Sequence, residues 1–130
     1  NQPLTLPNGL TSMGNNFLYN CYTFNQPLTL PNGLTSIGTY FLYNCYTFNQ
    51  PLTLPNGLTS IGTYFLYNCY SLTKLEYNAS VYPTDNNSLS QNVDTKTSTT
   101  GTGIKITGTN AEGLKSALPN RTSNPLRKLV

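Results

Sequence analysis

The 130 residues include no His and no Trp, and charged side chains make up only 8%. Without histidine, most acid–base, nucleophilic-triad and zinc chemistries lose their commonest participant. A soluble domain ordinarily carries about a quarter charged residues, so neutral polar groups must cover this surface. The shortage is uneven. All 7 Lys and Arg and all 4 Asp and Glu lie after position 73, and residues 1–72 contain none. That first half can offer no basic nucleic-acid groove, no ion-pair network and no carboxylate pair. No apolar run approaches the length of a membrane span. The length suits one domain with a modest core.

What is present is repetition. Residues 1–24 recur at 25–48 and again at 49–72, a period of 24 residues without slippage. The first copy differs from the second at Met13, Asn15 and Asn16, where Ile37, Thr39 and Tyr40 stand. The third differs from the second only at Ser71 and Leu72. A unit this short cannot bury its own apolar face, so the copies must stack. The chain begins in register with the repeat, which suggests an array entered part-way.

Within the second copy, Leu28-Thr29-Leu30 alternates as a short strand with both leucines inward and Thr29 outward. Pro27 and Pro31 bracket it and limit its length. Pro31-Asn32-Gly33 is a turn signal, since Asn and Gly accept positive φ. Leu34 and Ile37 return the chain inward in a second extended piece, and Gly38 permits another bend. Phe41, Leu42, Cys45 and Phe48 are spaced for a single helical or 3₁₀ turn on the same core. Stacking predicts columns of identical residues: Leu4, Leu28 and Leu52; Phe17, Phe41 and Phe65; and Asn20, Asn44 and Asn68, whose amides can bond one another.

The run Leu34-Thr35-Ser36-Ile37-Gly38-Thr39-Tyr40-Phe41-Leu42-Tyr43-Asn44-Cys45 has the form L-x-x-I-G-x-x-F-x-x-N-C. It resembles the BspA-like leucine-rich repeats of bacterial and protist surface proteins. The spacing from Cys to the next L-P is one residue longer than that family's usual one, and Phe48 to Leu52 resembles a related group of surface-lipoprotein repeats. After Cys69 the usual spacing returns, which predicts a fourth strand. The resemblance implies a right-handed leucine-rich-repeat fold on an extracellular protein, with adhesion or host binding as its activity.

The expected fold class is an α/β repeat solenoid, with short parallel strands and short helical turns, closed by a C-terminal strand–helix–strand cap. Residues 1–78 form the solenoid, with a partial fourth strand at 72–78. Residues 79–103 read as a Ser/Thr/Asn-rich loop. Residues 104–130 form the cap. Within it, Ile104-Lys105-Ile106 alternates as a strand, and Thr109-Asn110-Ala111-Glu112 is a capping box. That box opens a helix with Ala111, Leu114 and Leu118 on one face. Arg127-Lys128-Leu129-Val130 supplies a last strand. Gly101 to Val130 also resembles the tails that close some members of the family.

Cys21, Cys45 and Cys69 stand one per repeat without C-x-x-C spacing, so they read as buried apolar fillers and not as metal ligands. Glu76, Asp85, Asp94 and Glu112 share no motif. No enzyme activity, cofactor or metal is expected. Recognition is expected instead from outward tyrosine columns: Tyr19, Tyr43 and Tyr67; Tyr22, Tyr46 and Tyr70; and Tyr40 with Tyr64. An outward threonine column, Thr5, Thr29 and Thr53, adds to them. The expected partner is a host or neighbouring-cell protein at the cell surface, or else a glycan. A structural stalk carrying another domain is the rival reading. No nucleic acid and no membrane span are expected, and the uncapped N-terminal coil is expected to self-associate.

Overall fold

The structure, a computed structural model, describes Leu4, residues 6–83, Asp85, Ser88, Leu89, residues 104–118 and Leu129. Three two-residue strands, β1 (Ser12–Met13), β2 (Ser36–Ile37) and β4 (Ser60–Ile61), form one parallel sheet in the order β1-β2-β4. Ser12 pairs with Ser36 and Ser36 with Ser60, so the 24-residue period is also the structural register. A second parallel sheet, ordered β3-β5-β6, joins β3 (Thr53–Leu54), β5 (Lys74–Tyr77) and β6 (Lys105–Thr107). The helix α1 (Ala111–Ala117) follows β6.

The first sheet runs through the second extended piece of each repeat, not through the Leu-Thr-Leu segment expected to be the main strand. Leu28 and Leu30 are buried and Thr29 is exposed, as alternation requires, but this segment carries no strand pairing. Among the described residues the same segment becomes a strand only in the third repeat, where Thr53 pairs with Glu76 and Leu54 with Tyr77. There Asn78 N–H donates to Leu54 O at 3.0 Å. In that register Pro55 is the counterpart of Asn78, and proline has no N–H to donate to Leu30 O. The expected fourth strand is β5, and the alternation at Ile104-Lys105-Ile106 is β6 with Ile104 and Ile106 inward.

The expected helical turn is replaced by a different structure. Tyr40, Leu42 and Asn44 all have positive φ (61°, 54° and 60°), as do their counterparts in the first and third repeats. Alternating left-handed residues turn the peptide planes along the stacking direction. Tyr40 N–H then donates to Thr63 O at 2.9 Å, Leu42 N–H to Phe17 O at 3.0 Å and Asn44 N–H to Tyr67 O at 2.9 Å. A right-handed turn would have spent these groups within its own repeat. The conformation costs about 1–2 kcal/mol at an ordinary L-residue, and Asn bears it most easily. Asn32 and Gly33, expected to supply positive φ, turn without it, through Leu34 N–H to Pro31 O at 3.1 Å.

Backbones approach closely along the Gly14, Gly38 and Gly62 column. A Cβ on Gly62 would stand 2.5 Å from the Gly38 carbonyl carbon and 2.5 Å from Thr39 N. These glycines serve close backbone approach, where a bend had been expected. The Phe17–Phe41 and Phe41–Phe65 rings stack at 5.7 and 5.6 Å. Asn44 Nδ2 donates to Asn20 Oδ1 at 2.9 Å, and Asn68 Nδ2 to Asn44 Oδ1 at 2.8 Å. Both predicted columns are therefore present. Leu28 and Leu52 are buried in the same core, with Leu4 packed against it.

Ala111, Leu114 and Leu118 face the core as expected. The capping box does not form. Asn110 is the N-cap and makes no side-chain cap bond. Its Nδ2 donates to Asn78 O at 3.1 Å, and Asn78 Oδ1 accepts from Thr109 N–H at 2.9 Å. Both residues tie the start of the helix to the end of β5. Of the predicted last strand, Leu129 bridges to Ile104, and its neighbours lie outside the described residues. So does most of the Ser/Thr/Asn-rich stretch, residues 84, 86–87 and 90–103.

Candidate functional site

The alternating turn determines where the tyrosines go. With Phe41, Leu42, Asn44 and Cys45 turned to the stack, Tyr40, Tyr43 and Tyr46 are left at its partly exposed surface. Tyr19 stacks on Tyr43 at 4.9 Å and Tyr43 on Tyr67 at 5.2 Å. Tyr40 and Tyr64 stack at 5.1 Å and meet this column edge-on: Tyr40 on Tyr19 and Tyr43, and Tyr64 on Tyr43 and Tyr67. The two predicted columns are thus one five-ring ladder. Tyr22, Tyr46 and Tyr70 make a second, with centroids 5.0 and 5.1 Å apart.

Within each ladder the rings shield one another. Tyr19 and Tyr22 are 42% and 46% exposed, whereas the later rings are half-buried. Loss of water, followed by the neighbouring phenols Tyr19 and Tyr67, raises the Tyr43 phenol above its ordinary value. Burial and then Tyr70 and Tyr22 raise Tyr46, with Tyr67 adding to it, so the two ladders sense each other. These phenols stay protonated at neutral pH and can both donate and accept hydrogen bonds. Because stacked neighbours cover the ring faces, what the ladder offers along its length is edges and hydroxyls.

Thr29 and Thr53 are exposed as expected but belong elsewhere; Thr5 lies outside the described residues. They line an open groove of about 870 Å³ with Asn32, Asn56, Glu76 and Asn78, and no tyrosine lines it. The sequence reading joined these threonines to the tyrosines as one surface, and the structure separates them. The cysteines are inward, with Cys45 and Cys69 buried and Cys21 half-buried. Cys45 and Cys69 Sγ donate to Leu18 O and Leu42 O, each at 3.0 Å. Burial, then Cys69 and Cys21, pushes the Cys45 thiol well above its ordinary value, which suits packing and not nucleophilic chemistry.

Sequence reasoning missed Asp85 and Ser88. Asp85 Oδ2 accepts from Tyr64 N–H at 3.1 Å, and Ser88 Oγ accepts from Phe65 N–H at 3.0 Å while donating to Asp85 Oδ1 at 2.6 Å. Asp85 thus meets the Tyr64 donor as Thr63 O meets that of Tyr40 one repeat earlier. Leu89, with φ 57°, donates to Phe65 O at 2.7 Å, as Leu42 and Leu66 do to the phenylalanine before them. The D-x-x-S spacing was the available signal. Among the described residues no helix is long and apolar enough to cross a membrane.

In-register short parallel strands, leucine columns and an asparagine ladder define a leucine-rich-repeat protein. The family model described as the BspA type leucine rich repeat region (6 copies) matches residues 2–111, and the chain belongs to that family. No curated protein and no solved structure matches the chain.

Proposed function

We propose that the chain is a leucine-rich-repeat solenoid, closed on its C-terminal side by β6 and α1. It serves as an extracellular protein-binding or adhesion module of a surface protein. Its tyrosine ladders contact a protein of a host or of a neighbouring cell. The supporting observation is the pair of stacked, outward ladders. Tyrosine gives large contact area at small entropic cost, and repetition adds weak contacts into useful avidity. Tyr40 and Tyr64 strengthen the reading, because they hold positive φ where the first repeat has Asn16. Asparagine tolerates that conformation better, so these two rings are kept at a cost in backbone strain. Face-on stacking of a sugar is open only at the ladder ends, which favours a protein partner over carbohydrate on this surface.

The test compares the chain with a Tyr43→Phe, Tyr46→Phe, Tyr67→Phe, Tyr70→Phe variant on immobilised extracellular-matrix proteins and epithelial surfaces. Phenylalanine keeps the stacks and removes only the hydroxyls. A variant that melts normally yet binds at least about tenfold more weakly is the expected result. Equal binding by both proteins would reject hydroxyl contacts. Binding by neither would leave the stalk reading standing in its place.

A further inference from the structure

Lys74 and Lys105 lie directly opposite each other in the parallel pairing of β5 with β6, and Glu76 lies opposite Thr107. Leu75 and Ile106 point inward at 1% and 6% exposure, so all four polar side chains share the outer face. Neighbouring strands are about 5 Å apart, and like charges placed opposite each other destabilise a sheet. Among the described residues neither ammonium is in an ion pair, and the single ion pair is Lys115 with Glu112, at 2.7 Å. Glu76 accepts from Asn78 Nδ2 at 2.9 Å, on the side away from the lysines.

The pair stands beside an open groove of about 510 Å³ whose lining includes Pro51, Thr53, Lys74, Glu76, Lys105 and Thr107. Pro51, Thr53 and Glu76 also line the larger groove that contains Thr29, Asn32 and Asn56. The two are one trough along the outer strand face. Beyond Glu76, which both grooves share, one end is uncharged and polar, and the other carries Lys74 and Lys105. We infer that the trough is an anion-anchored binding site for an acidic oligosaccharide, a sugar chain bearing sulfate or carboxylate. The anion sits between Lys74 and Lys105. The sugar hydroxyls meet Thr53, Thr29, Asn32 and Asn56, whose hydroxyl and amide groups both donate and accept. Glu76 repels a second anion and so sets the direction of the chain. An acidic peptide would engage the two lysines but few of the exposed hydroxyl and amide groups beyond them, and the leucines that line the trough are all but buried. No residue of this site belongs to the tyrosine ladders, so it stands or falls apart from them.

The experiment titrates the whole chain calorimetrically with a sulfated oligosaccharide, a uronic-acid oligosaccharide and a neutral one of equal length, and with polyglutamate. Binding of either acidic sugar at low salt, weakened about tenfold or more in Lys74→Gln, Lys105→Gln, is the expected result. The tighter of the two sugars identifies the anion. The neutral sugar should show no dependence on the lysines. A double variant that binds acidic sugar like the parent overturns the proposal, as does absence of binding by both acidic sugars. Polyglutamate binding as tightly, through the same lysines, replaces the sugar with an acidic peptide. A fold readout guards the test: unliganded Lys105→Gln should melt about 2 °C higher once the repulsion is relieved. A lower midpoint would make Lys105 a structural residue and overturn its assignment as a ligand group.

Discussion

In the third repeat Leu54 O accepts from Asn78 N–H at 3.0 Å, whereas Leu30 O, one repeat earlier, faces a proline at the matching position. The uncharged region before residue 73 and the charged region after it stack in the same direction, yet they hold register differently. After residue 73, the proline-free strands β5 and β6 extend an ordinary parallel ladder from β3 of the third repeat. Before it, register depends on the Ser-Ile/Met strands, the positive-φ turns, and columns in which one side chain bonds the same position one repeat away. Thr35 Oγ1 donates to Thr11 O at 2.9 Å and Thr59 Oγ1 to Thr35 O at 3.0 Å. Side-chain columns work only if the period never slips. A region built from near-identical repeats can use them, and the region after it, with its varied sequence, does not.

The largest effect should come from breaking the closest approach in the uncharged region. Gly62→Ala places a methyl 2.5 Å from backbone atoms of Gly38 and Thr39, which no rotamer change can relieve. We expect a loss of about 3 kcal/mol or more in chemical denaturation, at the upper end of overpacking costs. Gly33 has nothing within 4 Å of its would-be Cβ and no positive φ. Gly33→Ala should therefore be neutral or stabilise by up to about 1 kcal/mol. Similar losses for both would show that stacking does not depend on the Gly14, Gly38 and Gly62 column.

Next is the middle of the asparagine ladder. Asn44 accepts from Asn68, donates to Asn20 and holds φ at 60°. Asn44→Ala removes both bonds and leaves an ordinary L-residue in the left-handed region, for about 2–3 kcal/mol. Asn44→Gly loses the bonds but not the conformation, so it should cost about 1 kcal/mol less. Equal losses would mean that the ladder bonds matter and the conformation does not.

Alkaline pH probes both regions together. Burial raises the Cys45 thiol above 9.0, and raises the Tyr43, Tyr46 and Tyr77 phenols above 10.0. The unfolded chain releases these protons first, so the stability they contribute is complete below the unfolded values and is lost as pH rises through the folded ones. Denaturation midpoints should be level up to about pH 9 and fall beyond it. The last tyrosines to ionise in ultraviolet titration should be these three. Constant stability through the tyrosine range would contradict the burial that the structure assigns.

Much of this was legible in the sequence, and for one reason: a strict 24-residue period converts identity in sequence into adjacency in space. The phenylalanine, asparagine and tyrosine stacks follow from it directly. The turn conformation was not legible, because Leu and Tyr at positive φ leave no mark in composition, and Asn44 alone hinted at it. The prolines were read as shortening the Leu-Thr-Leu strand; Pro55 also leaves Leu30 O without the donor that Asn78 offers Leu54 O. The period says which residues share a column but not which columns share a face, so Thr29 was grouped with Tyr43. Lys74 and Lys105 lie 31 residues apart in strands of unlike sequence, and only the register of β5 on β6 brings them together.

The smallest effect tests the comparison most directly. If the missing donor is what separates the two regions, Pro55→Ala should restore it, giving an N–H aimed at Leu30 O as Asn78 N–H is aimed at Leu54 O. The new bond contributes about 0.5–1.5 kcal/mol. The lost rigidity of proline in the unfolded chain offsets about 0.4–1 kcal/mol of that, so net stability should hardly move. Protection should change where stability does not. The amide of residue 55 should exchange with solvent as slowly as that of Asn78, and slower exchange should extend to Thr53. An amide at 55 that exchanges at the rate of an exposed loop would show that the Leu-Thr-Leu segments are held apart by the side-chain columns themselves. The prolines would then be a consequence of that spacing and not its cause.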